Sequence, residues 1–393
     1  MTIFQQARLL LGSVLMMGLL GCVYTWGLFS TALHSQYQLS SANLQMVFGV
    51  EIAVYSVTMI LSGALYPRFG VKPLAAVAGV LYGLGYWLAT VLPLPWGLLV
   101  GIGIVSGMGI GFGYTPIMTN LMQAYPTRKG LAAGVVTAAF GGGATLMGLA
   151  VNPLLEKGMN VLELLHDVGI AFWVLMALGW LLVFQATKLG QADRKATISG
   201  PAIKDVIRTP IFITLFIGFF SGSFAGFCLL GNLKTLGLTL NVLPAMAGLA
   251  IMTFSVGNAV GRVSWGALAD RFPSVVIPLA LMLSSATIAS VLVAPPVLFP
   301  LVAAAIAFCF GANYVLFANQ IAEHFGLDQV ARLYPVLLMS QVAAALSGPA
   351  LSGWWLDTFG NLTGLVWVAA SVALLGALVQ VLTMRATVDT PAT

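Results

Sequence analysis

The feature that most constrains this chain is its series of long apolar runs separated by short polar turns. An α-helix rises 1.5 Å per residue, so about 20 apolar residues cross a hydrocarbon core of ~30 Å. Lipid offers no partner to backbone amides, and a helix satisfies them within the segment. Twelve such spans are predicted, at residues 9–33, 44–66, 73–92, 96–123, 130–152, 164–187, 210–234, 243–267, 275–294, 298–322, 334–356 and 362–384. A transmembrane β-barrel would show alternating segments of about 10 residues, which this sequence lacks. The expected fold class is therefore an all-α membrane protein with twelve transmembrane helices in a lipid bilayer. The first span follows Arg8 and is too long for a signal-peptide core, so it is expected to be retained.

Charge gives the orientation. Only 7% of residues are charged, against roughly 25% in soluble proteins. With the N-terminus inside, Arg8, Arg68, Lys72, Arg128, Lys129, Lys188, Arg194, Lys195, Lys204, Arg208, Arg271, Arg332 and Arg385 fall on the cytoplasmic side, 13 of the 16 basic residues. Lys157 and Lys234 fall outside and Arg262 within the membrane. Basic residues collect in cytoplasmic loops, so both termini are expected there, in a plasma membrane or, in a bacterium, the inner membrane. The net charge of +5 reflects these loops and suggests no nucleic-acid partner. Cys22, Cys228 and Cys309 each lie in an apolar span and read as small packing residues, neither disulfide framework nor metal site.

The longest polar break, near residues 188–209, divides the spans six and six. The expected organisation is an N-terminal bundle at 1–187, a cytoplasmic linker at 188–208 and a C-terminal bundle at 209–393. The halves also repeat. Gly63-Ala64-Leu65-Tyr66-Pro67-Arg68-Phe69-Gly70 follows span 2, and Gly266-Ala267-Leu268-Ala269-Asp270-Arg271-Phe272-Pro273 follows span 8, with five of eight positions identical. Duplicated halves in a twelve-helix chain point to a transporter with its site between pseudo-symmetric bundles.

These loops resemble the G-x-L-x-D-R-x-G loop of the major facilitator superfamily, with Pro67 in the first copy where the family has Asp. The resemblance implies a gating or conformational role for Gly63, Arg68, Gly70, Gly266, Asp270 and Arg271. Pro67 breaks the family's charge relay in the N-terminal half, and a tight turn explains the loops equally. A narrower resemblance rests on Tyr24-Thr25-Trp26-Gly27-Leu28-Phe29, on Tyr125-Pro126-Thr127-Arg128-Lys129-Gly130-Leu131-Ala132 and on the stretch from Asn258 to Gly266. It is to the oxalate:formate antiporter and monocarboxylate transporter branch, in which the arginine of span 8 binds the substrate carboxylate. Arg262 matches that position.

An arginine at a helix centre costs roughly 2.5–3.5 kcal/mol on insertion scales, so such residues usually face a cavity or partner. The planar guanidinium pairs with a carboxylate through two parallel hydrogen bonds and stays charged at working pH. Two other readings compete: snorkelling past Trp265 to the headgroups, or pairing with Asp270. Asn258, one helical turn before Arg262, either contacts the same substrate, orients the guanidinium, or bonds to a neighbouring helix.

The resemblance places Tyr24, Tyr114 and Tyr314 in cavity-facing spans 1, 4 and 10, where a phenol offers one donor and an apolar wall. Tyrosine also marks membrane interfaces, so structural roles compete for each. Asn313 and Asn319 are weaker candidates on span 10. Oxalate-exchanging members carry a second cation in span 11, where this chain has Gln341 and no Lys, Arg or His. One buried cation favours a cargo with one negative charge.

Glu51 is the lone carboxylate well within an apolar span, with Tyr55 one turn on. An apolar setting favours a neutral carboxyl, which makes Glu51 the proton-coupling candidate; a wetted place near the outer end of span 2 is the other reading. His34, His166 and His324 all fall near span ends, so none reads as a central proton relay. The glycines of span 4 and Gly141-Gly142-Gly143 in span 5 read as close-packing surface. No phosphate loop or catalytic constellation is evident, so neither an enzyme nor a cofactor is expected.

The function expected is secondary transport of a small monocarboxylate resembling lactate, pyruvate or formate, by alternating access, with a proton or counter-anion as partner. Efflux of an amphipathic compound would need acidic residues facing the cavity, for which Glu51 alone qualifies. A carboxylate-binding membrane sensor is the reading from another class; it lacks a sizeable cytoplasmic domain.

Overall fold

Helix ends follow from local chemistry. Ser40, in an extended conformation, accepts a hydrogen bond from the Asn43 amide at 3.3 Å and starts the helix Ser41–Phe69. Gly70 ends it at φ 71°, a backbone conformation glycine adopts without a Cβ penalty. Thr209 caps Pro210–Leu230 in the same way, with Pro210 in the first turn, where its missing N–H costs nothing.

The computed structural model describes residues 3–125, 129–186, 203–272, 275–326 and 329–388. Among these, eleven helices are long and apolar enough to cross a membrane. The ninth expected span is the exception. It is a 15-residue helix, Val276–Ser290, where the sequence predicts 275–294. At ~22 Å it falls short of the hydrocarbon thickness. The chain leaves the helix in turns closed by Val291 N–H to Ile288 O and Leu292 N–H to Ala289 O. Pro295 and Pro296 follow, which lack an amide donor and disfavour helical geometry in the preceding residue.

Two other spans depart from a plain α-helix. Span 1 runs as Ile3–Leu20 and Trp26–Tyr37 around a buried 3-10 segment, Gly21–Thr25. At that break a Cβ on Gly21 would collide with the backbone of Phe140, and one on Gly143 with that of Gly18, so spans 1 and 5 touch main chain to main chain. Span 4 opens with a short turn, Trp96–Leu98, followed by a π-helical segment, Leu99–Ser106, before Gly107–Ala124.

The chain divides into two compact units, Met1–Lys195 and Ala196–Thr393. Within each, the same helices pair. Spans 2 and 4, 3 and 6, 1 and 6, 1 and 5, and 3 and 4 pack in the first unit, and spans 8 and 10, 9 and 12, 7 and 12, 7 and 11, and 9 and 10 in the second. The cysteines repeat as well: Cys22 Sγ contacts Gly143 O at 3.7 Å and Cys228 Sγ contacts Gly348 O at 3.6 Å. They are buried free thiols filling tight crossings.

The repeated loops are alike in detail. A Cβ on Gly63 would meet Thr115 Cγ2 at 3.4 Å, and one on Gly266 would meet Val315 Cγ1 at 3.3 Å. Arg68 sits 5.3 Å from the Phe69 ring centroid and Arg271 sits 5.7 Å from that of Phe272. Asp270 is helical, but its side chain lies outside the described residues, as do Pro273, Arg128 and most of the linker expected at 188–208. The end of that linker holds a short helix, Ile203–Val206.

Candidate functional site

Arg262 is carried by the helix Pro244–Arg271. Where this helix crosses Phe299–Phe325, a Cβ on Gly257 or Gly261 would run into the backbones of Ala304 and Phe308. Only small residues allow that approach, and it sets Arg262 directly against span 10. Val256, Val260 and Val263 form the exposed stripe of the helix, whereas Asn258 and Arg262 point inward at 0% and 3% exposure.

The guanidinium is held from two sides. Its Nε donates to Asn258 Oδ1 at 3.1 Å, and its Cζ lies 4.5 Å from the Tyr314 ring centroid. This geometry overturns the snorkelling alternative, because the side chain folds back along its own helix instead of reaching a headgroup. Trp265 is no interface residue either: it is 1% exposed and donates through Nε1 to Phe308 O at 3.1 Å. Asn258 therefore acts within its own helix, fixing the plane of the guanidinium. A fixed fork is what bidentate carboxylate recognition needs.

Tyr314 is itself wedged, edge-on to Phe310 at 5.7 Å and to Phe219 at 6.1 Å between centroids. The Tyr334 hydroxyl donates to the Tyr314 carbonyl at 3.3 Å. Asn313, on the same helix, is 3% exposed and fills the space over Gly222, whose added Cβ would lie 2.5 Å from Asn313 Oδ1. Two buried amide donors, Asn258 Nδ2 and Asn313 Nδ2, make no hydrogen bond within the protein. Buried donors left in this state cost about 1–3 kcal/mol each and mark places where a polar group is accommodated. Gln341 is buried on Val330–Phe359, and Asn319 is exposed.

In the N-terminal unit the candidate tyrosines gather on one residue that sequence reasoning missed. Phe140 of span 5 meets Tyr24 at 5.7 Å, Tyr114 at 5.0 Å and Tyr55 at 6.4 Å, each edge-on. Nothing in the local sequence distinguishes Phe140 from any other apolar span residue; its role comes from the Gly21–Phe140 and Gly18–Gly143 crossings that pull span 5 onto span 1. Tyr55 belongs to this cluster, and Glu51, one turn earlier, accepts a hydrogen bond from the Ser106 hydroxyl through Oε1 at 3.0 Å. Glu51 is 1% exposed, so the wetted outer-end alternative is overturned. His166 is half-buried, His324 is exposed, and His34 bonds to Leu39 O at a helix end.

Phe140→Ala is expected to loosen all three tyrosines. Both folded and unfolded chains remain in lipid, so the void dominates: about 24 cal/mol per Å³ over ~100 Å³ gives ~2 kcal/mol. Thermal unfolding of the purified variant in detergent should show a clear drop, while Val174→Ala, at a lipid-facing position of span 6, should change little.

A repeated six-helix arrangement with one buried, oriented guanidinium in its second half defines the class as an integral membrane transporter. The Major Facilitator Superfamily family model matches residues 9–241 and 215–393, and the chain belongs to that family. The chain is 28% identical over 345 residues to an uncharacterized MFS-type transporter, YhjX, of Escherichia coli (strain K12), covering 84% of this chain and 83% of that protein. It is 25% identical to an oxalate:formate antiporter of Oxalobacter formigenes, covering 90% and 85%. Identity to monocarboxylate transporter 13 of Rattus norvegicus is 24%, covering 91% and 83%. These relatives place it in the branch that contains the oxalate:formate antiporter and the monocarboxylate transporters. A D-xylose-proton symporter crystal structure superposes with a TM-score of 0.70 over 97% of both chains at 16% identity, a likeness of fold alone.

Proposed function

We propose that this protein is a secondary carrier of a small monocarboxylate of the lactate, pyruvate or formate kind, working by alternating access. The observation that carries the reading is the Arg262 guanidinium, buried in span 8, locked by Asn258 and faced by Tyr314. Arg262 takes the carboxylate through its fork. Tyr314 limits the room beside it, and Asn258 and Asn313 offer amide donors to a hydroxyl or keto oxygen. Gln341 adds polarity without charge, and within the N-terminal unit Tyr24 and Tyr114, ordered by Phe140, form a cluster of their own.

The loop residues Gly63, Arg68, Gly70, Gly266, Asp270 and Arg271 act in the conformational change, with both termini in the cytoplasm. The names of two relatives, an oxalate:formate antiporter and a monocarboxylate transporter, agree with carboxylate cargo.

The test is uptake of labelled lactate, pyruvate and formate by proteoliposomes containing the purified chain, against protein-free vesicles. Time-dependent, saturable accumulation of at least one of them is expected. Binding without flux would identify a sensor and overturn the carrier reading.

A further inference from the structure

Among the described residues, Glu51 is the only carboxyl group that is buried, and the binding of a monocarboxylate makes no use of it. It lies on Ser41–Phe69, inside the N-terminal unit, and its one hydrogen bond comes from Ser106. Ser106 closes the π-helical segment of span 4, a geometry that is rare and gathers at functional positions. The two helices are pressed together there, since a Cβ on Gly107 would meet the Glu51 carbonyl at 2.9 Å.

The other titratable groups that interact electrostatically with Glu51 are Tyr82 and Tyr86 of span 3. Both tyrosine rings close against Phe172 of span 6, at 4.6 and 4.9 Å between centroids. No Lys, Arg or His is among these neighbours, and no described ion pair includes Glu51. A carboxylate removed from water needs a cation or several donors. This site supplies one hydroxyl and no cation, which suits a group that gains and loses a proton as its access to water changes.

We propose that Glu51, gripped by Ser106 inside the N-terminal unit, is the proton-binding site of this carrier, so that one proton travels with each carboxylate anion. The proposal rests on the carrier reading above. The proton comes from water on one side, bonds to a Glu51 carboxylate oxygen and leaves to water on the other; no other bond changes. One anion and one proton move together, so the cycle carries no net charge. By linkage, proton and substrate raise each other's affinity by the same factor.

The experiment uses the full chain in proteoliposomes with a trapped pH dye and two readouts. Labelled lactate counterflow at equal pH reports the carrier alone, and lactate accumulation driven by acid outside, with acidification of the dye, reports coupling. The wild type should show both. Glu51→Gln should keep counterflow and lose gradient-driven accumulation and dye acidification. Ser106→Ala removes a donor to the carboxylate and so favours its protonated form, moving the pH midpoint of uptake upward by about half a unit or more. A merely structural serine would leave that midpoint in place.

Unchanged coupled uptake in Glu51→Gln overturns the proposal, as does loss of counterflow in a folded, monodisperse Glu51→Gln protein. Should that variant fail to fold, Ser106→Ala decides: a shifted midpoint supports the site and an unshifted one overturns it. Wild-type counterflow without proton movement removes the proton site and leaves the carrier standing. Absence of wild-type counterflow sinks the carrier reading and this proposal with it.

Discussion

Arg262→Ala abolishes monocarboxylate binding and leaves the protein folded in the membrane. Two charge-assisted hydrogen bonds to a carboxylate are worth about 1.5–3 kcal/mol each, so their loss weakens binding by roughly 10²–10⁴-fold. The cost to the fold is smaller because opposing terms nearly cancel. Deleting the guanidinium relieves roughly 2.5–3.5 kcal/mol of insertion cost. Against this stand the lost contact with Tyr314, about 0.5–2 kcal/mol, and the stranded Asn258 Oδ1, about 1–3 kcal/mol.

Arg262→Lys separates charge from geometry: it keeps the cation but has neither an Nε for Asn258 nor a planar fork. It should lose most of the affinity as well. Titration calorimetry with lactate, pyruvate and formate, paired with thermal unfolding of each variant, checks both statements. Retained transport by Arg262→Ala would sink the assignment of the site.

The second large effect is selection by charge. Among the described residues Arg262 is the one arginine buried within a span, Lys234 is buried at the end of span 7, and span 11 holds Gln341 and no Lys, Arg or His. A single guanidinium balances a single carboxylate. A second carboxylate left without a partner in a low-dielectric site costs several kcal/mol, so oxalate dianion should compete with lactate about 100-fold more weakly, or worse. Gln341→Lys supplies the missing charge and should bring oxalate into competition while leaving lactate binding weaker or unchanged. Inhibition of labelled lactate uptake by oxalate at neutral pH is the measurement. Equal potency of oxalate and lactate on the wild type would contradict the one-cation argument.

The sequence by itself determined the number of apolar spans, their helical class, the duplicated halves and the exceptional standing of Arg262 and Glu51. All of these follow from one-dimensional rules: the length of apolar segment a bilayer demands, and the cost of placing a charge within it. It also placed Asn258 on the face of Arg262, since residues four apart share a helical face.

Tertiary structure decided the rest. Whether Arg262 snorkels or turns inward depends on which side of span 8 meets span 10, and that is set by backbone contact at Gly257 and Gly261. The choice of Tyr314 as its aromatic face and the gathering of Tyr24, Tyr55 and Tyr114 on Phe140 arise between helices distant in sequence. The burial of Glu51 was equally invisible, because its partner Ser106 is presented by a π-helical segment 55 residues away. Periodicity tells which residues share a face of one helix; only packing tells what that face meets.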